Sequence, residues 1–355
     1  MRVLMLTRQV DREATFFAFT HGWVAALARR VERLEVICQS AGAVDLPDNV
    51  SLHSLGKDAG ISKGAQLRAL QRLLGQLLRH TDVIFSHMIP RYALLAAPGA
   101  LRFRVPMVQW YTLGHTNLEL RLAHAIVRRV VTASRESFPL PSRKVTPIGH
   151  GIDFTRFTPA EGPAAARQVL AVGSLTPWKG IETLIDAAAL LTARPGFEDV
   201  TFTWLGGELP APLTPPGYRA AIEARIAERG LAGRFRLAGP VSYPDLPDLY
   251  RGAAALAHLS GTGSIDKAPL EALGCGIPLV ATDAVYRDVL GDEAGRLMAR
   301  PADAADVASR LGDLLALAPE ERRALALRLR ERAVEQHGLE GMMDRLVRVL
   351  AEAAA

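Results

Sequence analysis

Short apolar runs alternate with longer segments of helical periodicity in the first half of the chain. Each run is rich in Val, Ile and Leu, which is typical of a strand buried in a parallel sheet. The runs are V-L-M-L-T at 3–7, L-E-V-I-C at 34–38, D-V-I-F-S-H at 82–87, P-M-V-Q-W-Y-T at 106–112, V-V-T-A-S at 130–134 and K-V-T-P-I at 144–148. Since helix-length segments separate them, the pattern predicts a parallel sheet covered by helices.

The same alternation starts again in the second half. Its apolar runs are V-L-A-V-G-S at 169–174, V-T-F-T-W-L-G at 200–206, F-R-L-A-G at 235–239, A-A-L-A-H-L at 254–259 and I-P-L-V-A-T at 277–282. The chain therefore reads as an α/β protein of two Rossmann-like units. We place a first domain at 1–160, a second at 161–335 and, at 336–355, a C-terminal helix that packs back on the first domain. Ligands of such sheets bind beyond the carboxyl ends of the strands.

Composition and charge narrow the class of protein. The 355 residues carry a net charge of +5, but residues 1–160 hold 21 Lys and Arg against 11 Asp and Glu, whereas 161–355 hold 21 against 26. A basic first half would suit an anionic substrate or an anionic membrane surface. Nucleic acid is disfavoured, because only 6% of residues are aromatic and no basic run is interleaved with them.

The cellular compartment is suggested by the cysteines and by the apolar segments. Two cysteines without metal spacing, Cys38 and Cys275, favour reduced thiols and a cytoplasmic protein. The apolar start of the chain ends at Arg8, which is too short for a signal peptide, and no segment has the apolar length of a membrane span.

One stretch, from Ala255 to Thr282, carries the strongest functional signal. It reads as a strand, a turn rich in glycine and serine at 260–264, a helix beginning near Asp266 and a second strand. Glycines let a backbone approach a ligand, and a helix start supplies N–H groups with a partial positive charge, so the turn would bind an anion. Glu271, further along the helix, would accept the hydroxyls of a ribose. Together these features suit a sugar nucleotide.

A second loop, V-G-S-L-T-P-W-K-G at 172–180, follows another strand of the same predicted sheet. Its Lys179 would lie near the turn around Gly263 and neutralise a diphosphate held there. The structural alternative is a solvated lysine at a helix start. We favour the ligand role, because a cation is unfavourable at that end of the helix dipole.

These motifs resemble those of the retaining, nucleotide-sugar-dependent family-4 glycosyltransferases of the GT-B fold. The resemblance rests on V-G-x-L-x-x-x-K-G at 172–180, G-x-V at 239–241, L-x-x-L-Y at 246–250 and L-E-A-L-G-C-G-I-P-L-V-A at 270–281, and on weaker matches, T-A-S-x-E-S-F at 132–138 and G-H-G-I-D-x-x-x-F at 149–157. It implies two Rossmann-like domains facing each other across a cleft, the first for the acceptor and the second for the donor. The acceptor would be a sugar, a lipid-linked glycan or a polysaccharide.

The resemblance also implies a set of site residues. Glu271 would hold the ribose hydroxyls and Lys179 the donor diphosphate, while the segment 236–241 would lie by the base. The other donor-binding positions would be Gly173, Ser174, Gly206, Gly207, Gly239, Val241, Gly263, Ser264, Ile265, Asp266 and Lys267.

The chain departs from the family pattern at two of these positions. The family's first glutamate falls where this chain has Gly263, and an arginine common after the first glycine is here Ser174. Asp266 and Lys267 supply a carboxylate and a cation within the same turn, so local compensation is our preferred interpretation. The alternative is a protein that keeps the fold and has lost turnover.

Histidines are the candidate catalytic residues of the first domain, because family enzymes have one near the transferred sugar. His87 ends its own strand, and His115 lies closer to the family position, two residues displaced; both are candidates, with His150 a weaker one. A packed or solvated side chain is the alternative for each. The segment 11–13 (Asp, Arg, Glu) would contact the acceptor or simply begin a solvated helix.

Three further alternatives concern the membrane, a metal and the enzyme class. The segment 63–80, with leucines and arginines on different faces, would either lie on an anionic membrane at its inner face or pack as a core helix with a basic outer side. No D-x-D triplet occurs, so we expect no metal and no cofactor beyond the nucleotide sugar. A dinucleotide-dependent oxidoreductase is disfavoured, because Asp266 takes the place of the third glycine of G-x-G-x-x-G.

Overall fold

The computed structural model of the chain describes residues 1–14, 17–162 and 166–355. It divides into two compact units: the first comprises Met1–Gly151 and His337–Ala355, and the second Ile152–Gln336. The sequence predicts this boundary after residue 160. Residues 15 and 16, in the loop after the first strand, and residues 163–165, next to that expected boundary, lie outside the described part of the chain.

The first unit is built on a parallel sheet of seven strands in the order β3-β2-β1-β4-β5-β6-β7. The strands are β1 Arg2–Val10, β2 Arg33–Ala41, β3 Val50–Ser54, β4 Val83–His87, β5 Met107–Trp110, β6 Arg129–Thr132 and β7 Val145–Pro147. All six strands predicted from the apolar runs are present. The seventh, β3, was missed because it is a half-exposed edge strand, V-S-L-H-S, without a continuous apolar run.

In the described part of the first unit, five helices cover this sheet: α1 Ala18–Ala28, α2 Lys63–Leu77, α3 Pro90–Phe103, α4 Leu118–Ile126 and α13 Leu339–Ala354. Helices α2, α3 and α4 share one hydrophobic core with one face of the sheet. Helices α1 and α13 contact each other, and Arg30, two residues after the end of α1, bonds Asp344 and Glu340 of α13. Leu70 and Leu74 of α2 are buried, so the core-packed interpretation of the segment 63–80 holds for this helix.

The second unit has a five-stranded parallel sheet in the order β10-β9-β8-β11-β12. Its strands, all predicted, are β8 Gln168–Val172, β9 Thr201–Leu205, β10 Phe235–Gly239, β11 Ala255–His258 and β12 Leu279–Ala281. Its helices are α5 Ile181–Thr192, α6 Tyr218–Glu228, α7 Leu246–Arg251, α8 Lys267–Gly274, α9 Arg287–Leu290, α10 Ala294–Leu297, α11 Ala304–Leu315 and α12 Pro319–His337, whose last residue belongs to the first unit.

Both sheets have a topological switch point, where the strand order reverses direction. It lies between β1 and β4 in the first unit and between β8 and β11 in the second. In open α/β sheets the crevice outside the carboxyl ends of two such strands is the usual ligand site. The fold therefore singles out one location in each unit.

Two further features concern the cysteines and the apolar character of the helices. Both cysteines are buried and free. Within the described ranges, none of the helices combines the length and the apolar character that crossing a bilayer requires.

Candidate functional site

Two loops leave the carboxyl ends of the neighbouring strands β8 and β11, and the structure brings them into contact. The Nζ atom of Lys179, in the loop after β8, lies 2.5 Å from Oδ2 of Asp266, in the loop after β11. A Cβ atom on Gly180 would stand 2.6 Å from the carbonyl oxygen of Leu259, and its φ of +74° also favours glycine. The close approach of the two backbones explains why a lysine and an aspartate 87 residues apart form an ion pair.

Asp266 is the centre of this contact. Besides Lys179, its Oδ2 atom faces Nε2 of the buried His258 at 3.3 Å. Burial tends to raise the pKa of Asp266, but the hydrogen bond and charge of His258 and the ammonium of Lys179 outweigh it, so its pKa lies below the usual range. Asp266 is therefore a carboxylate that already has two basic neighbours.

The backbone of the glycine turn before Asp266 is hydrogen-bonded to side chains of the same unit. Gly263, with φ +64°, donates its N–H to Oδ2 of Asp283 at 2.7 Å, and Asp266 donates its own N–H to the Tyr286 hydroxyl at 2.9 Å. The sequence predicts that these amides bind a ligand. The structure gives both to side chains that follow β12, so two of the expected anion donors are engaged. Ser264 and Ile265, between them, are buried.

Glu271 lies one turn into α8 and is only 3% exposed. The hydroxyl of Tyr250 donates to its Oε2 at 3.3 Å, and Tyr243 donates to the same carboxylate. Burial raises the pKa of Glu271, and the neighbouring charge of Lys267 opposes that rise. Burial likewise lowers the pKa of Lys267, opposed by the negative charge of Glu271. The two residues stabilise each other's charge, one helical turn apart.

Several of the predicted donor-binding glycines serve close backbone contacts. At Gly206, with φ +136°, a Cβ atom would stand 1.9 Å from the carbonyl oxygen of Gly173, so only glycine fits where the ends of β8 and β9 meet. Gly206 donates its N–H to Gly239 at 2.8 Å, and Gly207 accepts from Leu175 at 2.8 Å. These glycines join three loops at one edge of the sheet, beside the ion pair.

The two other donor-binding candidates are also placed on this edge. The Ser174 hydroxyl lies 3.3 Å from the Thr176 hydroxyl within the loop after β8. Val241, half-buried, follows β10.

The histidine candidates of the first unit fall into two classes. His87, only 2% exposed, shares a hydrogen bond of 2.9 Å between its Nδ1 and Oγ1 of Thr7 and packs against Trp23, with ring centroids 5.0 Å apart. His150 is also buried, 6.1 Å from the Trp110 ring. His115 lies on an exposed loop after β5.

The acidic segment 11–13 follows β1 in a turn rather than in a helix. Oδ1 of Asp11 accepts the N–H groups of Glu13 and Ala43, at 3.0 and 3.2 Å. Arg12 lies 3.6 Å from the carboxylate of Glu13. Because α1 begins only at Ala18, the expectation that this segment begins a helix is wrong, and its contact with an acceptor stays a prediction.

Five side chains around the site were not found from the sequence: His258, Tyr243, Tyr250, Asp283 and Tyr286. Two of them stand where a signal was available, since His258 ends β11 and Asp283 follows β12. The tyrosines come from α7, from the turn before it and from a turn after β12. Only packing brings two of them to the Glu271 carboxylate and the third, Tyr286, to the backbone N–H of Asp266. Within the described ranges, no group of three His, Cys, Asp or Glu has the geometry of a metal site.

A match to a known protein family covers part of the second unit. Residues 166–316 match the family model described as Glycosyl transferases group 1. The match lies within the second unit and confirms the resemblance seen in the motifs there.

Two relatives illustrate the similarity in sequence. The D-inositol 3-phosphate glycosyltransferase of Salinispora tropica is 32% identical over 230 residues, which cover 60% of this chain and 47% of the relative. The MMP alpha-(1->4)-mannosyltransferase of Mycolicibacterium hassiacum is 28% identical over 279 residues, covering 76% of this chain and 64% of the relative. The chain thus spans about half the length of the first of these relatives.

Solved structures extend the likeness to nearly the whole chain. Anabaena Alr3699/HepE in complex with UDP superposes with a TM-score of 0.78 at 18% identity, covering 99% of this chain and 100% of that one. Sucrose-phosphate synthase from Thermosynechococcus elongatus gives 0.74 at 18% identity, with 99% of both chains covered. The fold is GT-B.

Proposed function

We propose that this chain, whose second unit carries the glycosyl transferases group 1 domain, transfers a sugar from a nucleoside-diphosphate sugar to an acceptor hydroxyl. The observation that carries the proposal is the ion pair of Lys179 and Asp266 at the β8–β11 switch point, on the same loop-to-helix segment as Glu271. A lysine at that position suits a diphosphate, and a buried carboxylate beyond it suits a ribose diol. The relatives named above, which are glycosyltransferases, support this class of reaction.

In the proposed reaction the acceptor oxygen bonds to the anomeric carbon as the bond from that carbon to the diphosphate breaks. The departing phosphate oxygen takes the acceptor proton, and the anomeric configuration is retained, as the family resemblance implies. Lys179 stabilises the negative charge that develops on the leaving diphosphate. Protein cations do this work without a bound metal, and the nucleotide sugar is the only co-substrate.

Asp266 is the side chain that we assign to the missing glutamate of the family pattern. Its carboxylate stands three residues after Gly263, and it is held within reach of both loops by Lys179 and His258. When a diphosphate binds Lys179, Asp266 keeps His258 as a partner. It then has a free lone pair for a sugar hydroxyl.

We also propose an acceptor and a cellular compartment. The acceptor is a sugar, a lipid-linked glycan or a polysaccharide, bound by the first unit, where His115 is the exposed one of the three candidate histidines. The buried reduced cysteines favour the cytoplasm.

Donor binding is tested first, by thermal shift of the full chain with UDP-sugars, GDP-sugars and NAD(H). We expect stabilisation by one class of nucleotide sugar. Stabilisation by NAD(H) alone would overturn the proposal in favour of an oxidoreductase.

Transfer is then tested with the stabilising donor and a panel of acceptors. Lys179→Ala should lower the rate about 100-fold or more, because it removes a charge that acts on the leaving group. Glu271→Gln should weaken donor binding about 10-fold or more, because one acceptor oxygen becomes a donor. Lys57→Ala and Glu228→Ala, at exposed positions, are the matched controls and should leave both quantities unchanged.

A second candidate is a partner protein that binds a sugar nucleotide without turnover. The observation that favours it is the turn at Gly263, which lacks the family's carboxylate and whose N–H already bonds Asp283. Donor binding with no transfer to any acceptor, in the native chain and in both variants alike, would support this candidate.

A further inference from the structure

Helix α4 of the first unit is apolar on two sides. Its inner side, with Leu120 and Ala123, is buried in the core. On its outer side Leu118, Leu122 and Ile126 are 70%, 49% and 44% exposed. They are spaced four residues apart, so they form one row along the helix. A surface helix normally turns polar residues outward, and this row therefore needs a partner.

The row belongs to a strongly basic layer. Between residues 63 and 128, which include α2, α3 and α4, the chain has nine Lys and Arg but only two carboxylates, Asp82 and Glu119. Asp82 accepts the backbone N–H of Arg2, and Glu119 is paired with Arg91. The exposed basic residues of the layer are Lys63, Arg68, Arg72, Arg79, Arg91, Arg102, Arg104, Arg121 and Arg128.

The three helices divide the two properties between them. Helix α2 exposes Leu67 as well as Lys63, Arg68 and Arg72, and its leucines 70 and 74 are buried, so it contributes mainly charge. Helix α4 contributes the apolar row, with Arg121 on the same outer side. Helix α3 lies between them and contacts both. An aliphatic row flanked by arginines is the pattern of a helix that lies in the interface of an anionic membrane.

A second copy of the chain is a poorer occupant. Two such layers placed face to face would bring many arginines together with few carboxylates to neutralise them, and like charges would repel. An anionic lipid surface supplies the opposite charge and an apolar phase at the same time.

We propose that the outer side of the α2–α4 layer docks on an anionic bilayer, with Leu118, Leu122 and Ile126 entering the headgroup region. The inference goes beyond the proposed activity and does not depend on it. It assigns the contact to α4, whereas the sequence alone drew attention to the segment 63–80.

The experiment is co-sedimentation of the full chain with lipid vesicles. One set contains phosphatidylcholine alone and the other contains phosphatidylglycerol as well. We expect binding to the anionic vesicles only, and release as salt is raised, because screening weakens the arginine contacts.

Two variants separate the apolar and the charged parts. Leu118→Ser/Leu122→Ser/Ile126→Ser should weaken binding to anionic vesicles about 10-fold or more, because the row no longer leaves water. Arg121→Glu should weaken it about 5-fold or more, because it reverses one charge at the surface. Leu190→Ser, at a leucine that is 47% exposed on α5 of the second unit, is the matched control and should bind like the native chain.

Each other outcome counts against the proposal. No binding by the native chain, or equal binding by the triple variant, would overturn it. A native dimer that the triple variant dissociates would make a second copy the occupant instead. Thermal unfolding and nucleotide binding, both expected to be unchanged in the three variants, show that they are folded.

Discussion

The two switch points of the molecule are built from the same strand arrangement but are filled differently. At the switch point between β1 and β4 of the first unit, His87 is buried against the Trp23 ring and hydrogen-bonded to Thr7. At the β8–β11 point of the second unit, Lys179 and Asp266 form an ion pair that retains exposed surface. Aromatic packing excludes solvent from His87 at the first sheet edge, whereas an ion pair joins two loops at the second.

The difference indicates which of the two sheet edges can bind a ligand. Charged groups left partly open at a sheet edge can exchange their internal partners for those of a ligand, because both are held by electrostatics. A histidine packed among aromatic rings has no such exchange, since exposing it would first require the packing to open. The fold offers a ligand crevice twice, and the side chains prepare it for an anion in the second unit.

The largest effect is expected from His87→Ala. Removing a buried ring leaves a cavity and deprives the Thr7 hydroxyl of its partner, so the free energy of unfolding should fall by about 3 kcal/mol. Chemical denaturation measures this, and nucleotide binding by the second unit should not change. His80→Ala, at an exposed histidine, is the control. Unaltered stability with a lost transfer rate would instead make His87 a substrate contact.

A second buried histidine of the first unit, His337, is expected to make the stability of the protein depend on pH. Burial and the charge of Arg345 lower the pKa of His337 to about 4. By contrast, His258 in the second unit faces a carboxylate. Below about pH 6.5 the unfolded chain binds a proton at His337 that the folded chain does not, so stability should fall as the pH drops from 6.5 to 4.

The contribution of His337 to that fall is about 2–3 kcal/mol. The change should be smaller by this amount in His337→Gln, when unfolding in denaturant is compared at the two ends of the range. Parallel losses in the native chain and the variant would contradict it.

Asp266→Asn should tighten the binding of a nucleoside diphosphate about 10-fold, because Lys179 then faces the diphosphate without a competing carboxylate. Isothermal titration calorimetry measures the change. In a Lys179→Met background the same substitution should give little or no gain, since the competition no longer exists. Weaker binding by Asp266→Asn alone would show that the carboxylate assists the diphosphate rather than competing with it.

The smallest effect on stability is expected from His115→Ala. The side chain is exposed, and the bond that the Tyr111 hydroxyl donates goes to the backbone carbonyl, which the substitution keeps. Stability should change by less than about 0.5 kcal/mol. If His115 contacts the substrate, the transfer rate of His115→Ala falls even though its stability is unchanged. Transfer at the native rate would remove His115 from the candidate catalytic residues.

Much of the fold was open to prediction, because long apolar runs bounded by turns determine buried strands. Eleven of the twelve strands follow from that signal. The exception, β3, alternates apolar and polar residues at an edge, where partial exposure removes the signal. The pairing of Lys179 with the loop after β11 was also expected, since parallel strands end at the same edge of a sheet.

Other parts of the site depended on contacts that no local pattern contains. The motif placed Glu271 in a helix, but its tyrosine partners come from α7 and from the turn before it. The turn at Gly263 read as a set of open amides, whereas Asp283 and Tyr286, about twenty residues further along the chain, bond two of them.

Local sequence patterns establish the two parallel sheets, the order of their elements, the uneven charge of the two halves and the motifs of the second unit. These follow from local periodicity, composition and spacing. Only the tertiary structure shows which charged groups pair, which histidines are buried and which helix exposes its leucines. Burial and electrostatic partnership arise between residues distant in the chain, and only packing sets those distances.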